Sequence, residues 1–288
     1  MRLVQRMALI GTGLIGGSLA LDWLATGAVA EVVGWDIDTA TLTLALERGI
    51  IQYQASSPEE AVHEAELVLV ATPVQAACDL AARLGPILKR GQVIADVGSV
   101  KAPVLNAWTT SLPPGVDFVG GHPLAGAETS GSLAARRGLF HRAKYILTPS
   151  ASCRADSVAL VAELVRRAGA EPVLLSAAEH DQLVAATSHL PHLSAVTLVK
   201  AAAELASDFS RYSAGGFADT TRVALGSPVM WRDICLANKQ AILTALDHFS
   251  EQLMTIRSLI AASAGAELET LFAQAQATRS QFKSARGR

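Results

Sequence analysis

The chain has 288 residues, of which 50% are hydrophobic and 5% aromatic, and its formal net charge at pH 7 is −2. This length suffices for a large core in one or two domains, and the balanced charge argues against nucleic acid as a partner. The sequence contains no 18-residue apolar span and no signal-peptide core, so we expect no membrane association. The three cysteines, at positions 78, 153 and 235, show neither metal-site nor disulfide spacing, which is typical of the reducing cytoplasm.

The first predicted strand, residues 7–10, runs straight into a glycine-rich turn that opens an apolar helix. Gly11 permits the tight turn, Gly13 lets a pyrophosphate lie against the backbone, and Gly16 lets the helix pack close to the sheet. The free N–H groups at the start of the helix then face the phosphates. The predicted cofactor-binding residues of this turn are Gly11, Thr12, Gly13, Leu14, Ile15 and Gly16.

A second apolar strand, residues 31–35, ends in an acidic residue, Asp36. Its distance from the glycine turn is about that expected for a carboxylate that binds the adenosine ribose hydroxyls. The charge would repel a 2′-phosphate, and no arginine follows, since the next residues are Ile37, Asp38 and Thr39. We therefore predict NAD as the cofactor in preference to NADP. The alternative interpretation is a turn glycine followed by an aspartate that caps a helix.

Further apolar runs predict strands at 67–71, 93–96, 118–120, 145–148 and 172–174. Helical patterns separate several of these runs, and the runs themselves are short and continuous, as in parallel strands covered on both faces. This alternation predicts an α/β fold with a doubly wound sheet.

The pattern becomes helical after residue 175. A capping box at 176–179 opens a helix that is predicted to reach about residue 205 and that Pro191 can kink. A second amphipathic pattern covers 227–262, which as one helix would be on the order of 50 Å long. No strand pattern returns, so we predict a dinucleotide-binding domain at 1–175 and an all-helical substrate and dimerisation domain at 176–288. A helix of that length needs a partner surface, which predicts a homodimer.

Polar segments follow three of the predicted strands. They are Ala71-Thr72-Pro73-Val74, Asp96-Val97-Gly98-Ser99-Val100-Lys101 and Gly120-Gly121-His122-Pro123-Leu124-Ala125-Gly126-Ala127-Glu128. Ligands of open α/β sheets bind at the carboxyl ends of the strands, so we expect these segments to line one crevice. The helical part adds Ser188-His189-Leu190-Pro191-His192 on a helix, and Gly215-Gly216-Phe217-Ala218-Asp219-Thr220-Thr221-Arg222, which we interpret as a loop.

These segments, in this order, resemble the prephenate/arogenate dehydrogenase family of tyrosine biosynthesis. The resemblance covers about residues 9–238, and its Gly-Gly-His-Pro-x-Ala-Gly and Ser-His-Leu-Pro motifs are far more specific than the glycine turn. It implies a Rossmann domain followed by a helical dimerisation domain. It also implies oxidative decarboxylation of a cyclohexadienol with a nicotinamide cofactor.

The resemblance also assigns roles to individual residues. His122 matches the catalytic histidine, and Ser99 matches the residue that bridges this histidine, the substrate hydroxyl and the nicotinamide. Arg222 matches the arginine that binds a substrate carboxylate, a task suited to the bidentate guanidinium. Glu128 and Asp219 match acidic residues that pair with this arginine at the pocket entrance, where we expect gating or orientation.

The remaining candidate residues belong to the pocket and to the cofactor edge. We assign Ser188, His189 and His192 to substrate binding, with one histidine lining the pocket while the other packs. Three-residue spacing puts the two histidines on one helix face, but no acidic or cysteine ligands complete a metal site, so no metal is predicted. Thr72 and Pro73 are assigned to cofactor binding. The other histidines, at 63, 141, 180 and 248, are interpreted as solvent-facing or capping residues, and Trp231 as either a pocket lid or a core or dimer residue.

Three functional alternatives remain open from the sequence. A 3-hydroxyacid or 6-phosphogluconate type dehydrogenase would be expected to place a catalytic lysine on the first interdomain helix, where only Lys200 occurs, late in the helix. A non-catalytic dinucleotide sensor would not need His122, Ser99 and Arg222 together. Within the resembled family, an acidic residue near the substrate amino group would favour arogenate. His192 is our candidate for that position and is not acidic, so we predict prephenate as the substrate.

Overall fold

The computed structural model describes residues 1–126, 131–206 and 208–281. Within these ranges the first part of the chain forms an eight-stranded sheet in the order 3-2-1-4-5-6-7-8. The strands are β1 (Val4–Ile10), β2 (Val29–Trp35), β3 (Tyr53–Gln54), β4 (Leu67–Val70), β5 (Val93–Asp96), β6 (Asp117–Pro123), β7 (Lys144–Pro149) and β8 (Glu171–Leu174). The predicted doubly wound α/β fold is confirmed, and the strand order reverses between β1 and β4, where such sheets bind ligands.

The helices fall into two groups. Those packed on the sheet domain are α1 (Leu14–Ala25), α2 (Thr39–Glu47), α3 (Pro58–Val62), α4 (Val74–Leu84), α5 (Ala102–Ser111) and α6 (Ala155–Arg167). Those that follow the last strand are α7 (Ala177–Val184), α8 (Leu190–Leu205), α9 (Phe209–Tyr212), α10 (Gly215–Thr221), α11 (Pro228–Ala237), α12 (Lys239–Ala261) and α13 (Gly265–Ser280). None of the helices in the described ranges has the length and apolar character that a membrane crossing requires.

The central strands are buried on both faces. Along β1, Met7 and Leu9 face one apolar cluster, whereas Ala8 and Ile10 face a second cluster on the opposite side of the sheet. This two-sided burial explains why the strands read as continuous apolar runs. The helical domain joins the same packing, since Ile234 of α11 is buried in the second cluster. The carboxyl ends of the strands are thus held on a rigid base.

Two features of the sheet differ from the sequence prediction. β7 is antiparallel to β6, with His122 opposite Ile146. An antiparallel neighbour needs no helical crossover, and the described part of the connection holds only a 3₁₀ turn, Ser132–Ala134. This pairing extends β6 to Pro123, so His122 lies within the strand near its end. The sequence also missed β3, because its two residues are exposed and form no apolar run.

The first long helix is continuous to Leu205, as predicted, but its irregularity lies before Pro191. Residues Ala185–His189 form one π-helical turn between α7 and α8. Proline lacks an N–H group and therefore cannot donate a regular helical hydrogen bond. The wider π-helical turn directly before Pro191 takes the place of the regular hydrogen-bond pattern there. Such turns occur frequently at functional sites, and this one carries Ser188 and His189.

Two predictions for the later helices were wrong. The segment 227–262 is not one helix, because α11 ends and α12 begins at Asn238, which leaves helical geometry (φ −106°, ψ 31°) and is buried. The segment predicted as a loop at 215–222 forms α10 followed by a 3₁₀ turn, Arg222–Leu225. The hydroxyls of Thr220 and Thr221 bond back to carbonyls four residues earlier and so remain compatible with a helix.

Helix α12 carries an apolar stripe that the described part of the chain leaves uncovered. Its members are Ile242, Leu246, Phe249, Leu253, Ile256 and Ile260, which alternate in spacing between four and three residues. Only Ile242 is buried, whereas Phe249, Leu253 and Ile260 are 40%, 56% and 61% exposed. A regular apolar seam of this kind is typical of helices that pack against another helix.

Candidate active site

The glycine turn after β1 has the backbone geometry that its sequence predicts. Gly11 has a φ of +94°, and a Cβ atom there would lie 2.5 Å from the carbonyl oxygen of Ala71. A Cβ atom on Gly16 would meet the carbonyl oxygen of Gly11 at 2.6 Å, so α1 must approach closely at this point. By contrast, the space beside Gly13 is open, with no atom within 4 Å among the described residues. This opening at the start of α1 fits a pyrophosphate group.

Asp36 lies directly beside this turn at the end of β2. Its Oδ2 atom accepts hydrogen bonds from the Thr12 backbone N–H at 2.7 Å and from the Thr12 hydroxyl at 3.1 Å. Its Oδ1 atom accepts the Asp38 backbone N–H at 3.1 Å. At the end of β4, the buried Thr72 Oγ1 has no hydrogen-bond partner in the described part of the chain. A held carboxylate and an unsatisfied hydroxyl at this edge fit a bound dinucleotide.

His122 begins a chain of buried hydrogen bonds. Its Nδ1 atom lies 2.8 Å from Nε2 of His180, and Nδ1 of His180 lies 2.7 Å from Oδ1 of Asp181. His180 is fully buried on α7, and the two imidazole rings meet edge to face with centroids 5.0 Å apart. His122 is only partly buried, so its ring connects this interior chain to the crevice.

The Asp181 carboxylate is anchored at the start of α5. The backbone N–H groups of Lys101 and Ala102 each donate to it at 2.8 Å, one to each oxygen. Asn238 adds a contact from the break between α11 and α12, donating from Nδ2 to the Asp181 carbonyl oxygen at 2.8 Å. Asp181, on α7, therefore connects the start of α5 with the break between α11 and α12.

The turn that carries Ser99 is fixed by a buried ion pair. Lys101 is 1% exposed, and its ammonium group contacts Oδ2 of Asp96 and, at 2.6 Å, the carbonyl oxygen of Gly121. Asp96 also accepts the backbone N–H groups of Gly98 and Gly121, at 2.9 and 3.0 Å. Burial lowers the pKa of Lys101, and the Asp96 carboxylate opposes that shift. The Ser99 turn is thereby tied to β6 one residue before His122.

His189 and His192 both contact Trp231, which confirms that they share a helix face. His192 stacks on the indole with ring centroids 3.5 Å apart, and His189 meets it edge to face at 6.0 Å. Nδ1 of His192 lies 2.9 Å from the carbonyl oxygen of Val223. Because Val223 directly follows Arg222, this contact holds the Arg222 turn against α8.

Three imidazoles of the site, those of His122, His189 and His192, have lowered pKa values and are neutral near pH 7. Burial lowers the pKa of His122 well below its usual 6.5, and the nearby His180, Lys101 and His189 lower it further. Burial also lowers the pKa of His189, to about 4. His192 shifts in the same direction because of its burial. A neutral imidazole at the end of β6 is able to accept a proton from a substrate.

The other predicted site residues lie at the rim. Ser188, Asp219, Arg222 and Pro73 are exposed, and Ser99 and Thr72 are partly buried. Lys200, considered above for a different dehydrogenase class, is also exposed. Glu128 lies outside the described residues. The structure thus links His122 to the Arg222 turn through buried and partly buried contacts.

Sequence reasoning missed Asp181 and Asn238 as members of this site and placed His180 wrongly. His180 is not a solvent-facing or capping residue, because its ring is fully buried between His122 and Asp181. The signal was available: Ala177, Asp181 and Val184 recur at helical spacing on the buried face of α7, next to His180. Asn238 was missed because the sequence does not show whether an asparagine ends a helix or forms a buried polar contact.

The glycine turn, the acidic residue after β2 and the neutral histidine beside the crevice define a two-domain dehydrogenase that uses a dinucleotide. The prephenate dehydrogenase nucleotide-binding domain model matches residues 19–174, and the prephenate dehydrogenase dimerization domain model matches residues 176–274. The chain therefore belongs to the prephenate dehydrogenase family, and the resemblance inferred from its motifs is confirmed.

Individual relatives agree with this assignment. The chain is 36% identical to a cyclohexadienyl dehydrogenase of Zymomonas mobilis, over 99% of this chain and 98% of that protein. It is 38% identical to a prephenate dehydrogenase of Bacillus subtilis, over 88% of this chain and 69% of that protein. Among solved structures, a prephenate dehydrogenase from Aquifex aeolicus in complex with hydroxyphenyl propionate and NAD+ matches with a TM-score of 0.90 at 31% identity, covering 97% of this chain and 98% of that one.

Proposed function

We propose that this protein is an NAD-dependent prephenate dehydrogenase, which converts prephenate to 4-hydroxyphenylpyruvate with loss of carbon dioxide in tyrosine biosynthesis. The observation that carries the proposal is the run of buried and partly buried contacts from neutral His122 to the Arg222 turn, at the sheet edge that also holds the glycine turn. It supplies a base and a carboxylate-binding group beside a dinucleotide site. Steady-state kinetics with prephenate and arogenate, each with NAD and NADP, test it directly.

Different residues of the chain carry out different parts of the reaction. Bound NAD would supply the acceptor for the hydride that leaves the hydroxyl-bearing ring carbon of the substrate. His122 accepts the hydroxyl proton, and Ser99 orients that hydroxyl toward the imidazole. The ring carboxylate leaves as carbon dioxide, its bonding electrons complete the aromatic ring, and the ring oxygen takes the proton back from His122 to give the phenol of the product. Because aromatisation drives the reaction, the protein mainly positions the substrate and manages one proton.

Substrate binding falls to the helical domain. Arg222 binds a substrate carboxylate through its planar, bidentate guanidinium. His189, His192 and Ser188 line the pocket, and Glu128 and Asp219 orient the arginine at the entrance. For the cofactor, Gly11, Thr12, Gly13, Leu14, Ile15 and Gly16 hold the pyrophosphate, with Asp36 at the ribose and Thr72, Pro73 and Ser99 toward the nicotinamide.

We place the domain boundary at residue 175, with 1–175 binding the cofactor and 176–288 binding substrate and the second protomer. Three features support it: β8 ends at Leu174, α7 begins at Ala177, and the two family models meet between residues 174 and 176. We also propose a cytoplasmic location. All three cysteines are free thiols, as expected in a reducing compartment.

Arogenate is the alternative substrate, and it differs from prephenate by an amino group in place of a keto group. An amine would favour a nearby carboxylate. His192 instead presents a neutral ring whose Nδ1–H donates to the Val223 carbonyl, and it stacks on Trp231. This absence of negative charge at His192 favours prephenate. A higher kcat/KM for arogenate would reverse the assignment while leaving the enzyme class intact.

NAD is expected to be used with a higher kcat/KM than NADP, because the Asp36 carboxylate repels a 2′-phosphate. Asp36→Asn removes that charge and should raise the ratio of NADP to NAD efficiency roughly tenfold or more. Asp38→Asn is the matched control, since it removes the same charge two residues later at a position that caps α2. Equal or better efficiency of the unmodified enzyme with NADP would contradict the prediction.

The protein forms a homodimer, and we expect the helices from 176–205 and 227–262 to provide most of the interface. Leu253→Glu, in the uncovered stripe of α12, should raise the dimer dissociation constant by at least roughly 10²-fold. Each dimer would lose two buried leucine side chains, worth about 1.5–3 kcal/mol each. Thr255→Glu puts the same charge beside the stripe and should change little. Sedimentation velocity at micromolar concentration measures both, and a stable active monomer of the unmodified chain would rule out this interface.

A further inference from the structure

We propose that His180 and Asp181 are positioning residues that hold His122 with its proton on Nδ1, leaving Nε2 free to accept the substrate hydroxyl proton. The proposal rests on the function proposed above and extends it to two residues that do not reach the substrate. It also assigns Asn238 the role of holding His189 in the other tautomer, with the proton on Nε2.

The direction of each hydrogen bond follows from the Asp181 carboxylate, which can only accept. It already accepts the backbone N–H groups of Lys101 and Ala102, so the 2.7 Å contact with His180 places a proton on Nδ1 of that ring. In a neutral His180 the Nε2 atom is then an acceptor. The 2.8 Å contact with His122 therefore requires a proton on Nδ1 of His122. Its Nε2 atom carries the free lone pair.

The same arrangement stabilises the charge that develops in the reaction. When His122 accepts a proton, the positive charge is shared over a ring whose Nδ1–H points at His180. The Asp181 carboxylate lies directly behind that ring, and two backbone N–H groups prevent it from turning away. Fixed groups of this kind cost no reorganisation at the moment of reaction. The accepted proton remains on the imidazoles, and Asp181 acts as a hydrogen-bond acceptor.

Asn238 imposes the opposite arrangement on His189. Its Nδ2 group donates one hydrogen to the Asp181 carbonyl, which fixes the orientation of the amide because a carbonyl oxygen can only accept. The second hydrogen of the same group points at Nδ1 of His189, 3.2 Å away. His189 must therefore accept at Nδ1 and carry its proton on Nε2. Its free N–H is a donor for a substrate oxygen, so His189 is not an alternative base.

The tautomers can be observed directly in the protein without substrate. Long-range ¹H–¹⁵N correlation spectra of ¹⁵N-histidine-labelled protein distinguish a protonated ring nitrogen from an unprotonated one. We expect His122 and His180 protonated at Nδ1 and His189 protonated at Nε2, with each signal assigned by its disappearance in a single-site variant. A proton on Nε2 of His122 would overturn the proposal even if the enzyme is fully active.

Kinetics of His180 variants test the consequence. His180→Leu removes the acceptor and should lower kcat roughly 10²-fold with little change in the KM for prephenate. His180→Gln should recover most of that loss, because its amide can donate to Asp181 and accept from His122. His63→Gln is the matched control, since His63 is an exposed histidine at the end of α3. A His180→Leu enzyme with kcat within about twofold of the unmodified one would overturn the positioning role.

The two readouts also separate this proposal from the proposed function. The expected tautomers without any turnover of prephenate or arogenate would overturn the function and leave the hydrogen-bond assignment standing. Turnover of prephenate or arogenate with His122 protonated at Nε2 would overturn the hydrogen-bond assignment and leave the proposed function standing. If His180→Leu fails to fold, the spectrum of the unmodified protein still decides the tautomer and with it the proposal.

Discussion

Replacing His122 with asparagine is expected to lower kcat with prephenate by roughly 10²–10⁴, the range usual for loss of a general base. Asparagine retains a side chain that forms hydrogen bonds but cannot accept the hydroxyl proton as a stable cation. The affinity for NAD should stay almost unchanged, because His122 lies at the end of β6 and outside the glycine turn. Stopped-flow or steady-state turnover, with NAD binding as the control for folding, measures the difference.

The pH dependence supplies a second part of this test. His122 must be neutral to act, and its pKa lies well below the usual 6.5 because of burial and of the nearby His180, Lys101 and His189. Activity should therefore persist below pH 6.5 and fall only as the pH drops through this lowered pKa. The asparagine variant should lose that acid limb. Near-normal turnover of the variant with the same acid limb would show that His122 is not the base.

Arg222→Ala is expected to weaken prephenate binding by roughly 30- to 1000-fold, which corresponds to about 2–4 kcal/mol for a charge-assisted, partly desolvated contact. NAD binding should change little, since Arg222 lies on the 3₁₀ turn after α10 in the helical domain and does not belong to the glycine turn that fits the cofactor. Arg222→Lys keeps the charge but loses the bidentate fork, so an intermediate loss is expected. The KM for prephenate and the equilibrium binding of a product analogue report the effect.

A second exposed arginine provides the control for that experiment. Arg166→Ala, on α6, removes an exposed arginine whose ion pair in the described part of the chain is a surface contact with Glu163 at 3.3 Å, so it should leave both constants unchanged. An unchanged KM for prephenate in Arg222→Ala would place Arg222 outside the site. The substrate carboxylate would then have to be bound by another group of the helical domain.

The parts of the fold that could be predicted from the sequence are those determined by short stretches of the chain. The glycine turn and Asp36 follow from backbone geometry and from one strand end, and both lie where the sequence places them. The orientation of β7 depends on a pairing with β6 that no local pattern encodes. The break at Asn238 could not be predicted for a similar reason. The buried partners of its side chain lie 49 and 57 residues away along the chain.

The candidate site divides in the same way. His122 and Arg222 were found because each belongs to a specific motif, whereas the histidine that contacts His122 lies 58 residues away and belongs to none of the quoted segments. His180 looks like a surface residue unless one notes that it lies on the buried face of α7. The partners of a catalytic group depend on tertiary packing, so a motif identifies the base and leaves its supporting residues to the structure.

The pair of backbone hydrogen bonds from Lys101 and Ala102 to Asp181 crosses from the sheet domain to the helical domain. Bonds to a charged acceptor contribute about 1.5–3 kcal/mol each, so separating the domains here would be costly. This point therefore acts as a fixed pivot. Any opening of the cleft for substrate entry and product release is therefore expected away from this point, toward the Arg222 turn that His192 of α8 contacts through the Val223 carbonyl oxygen.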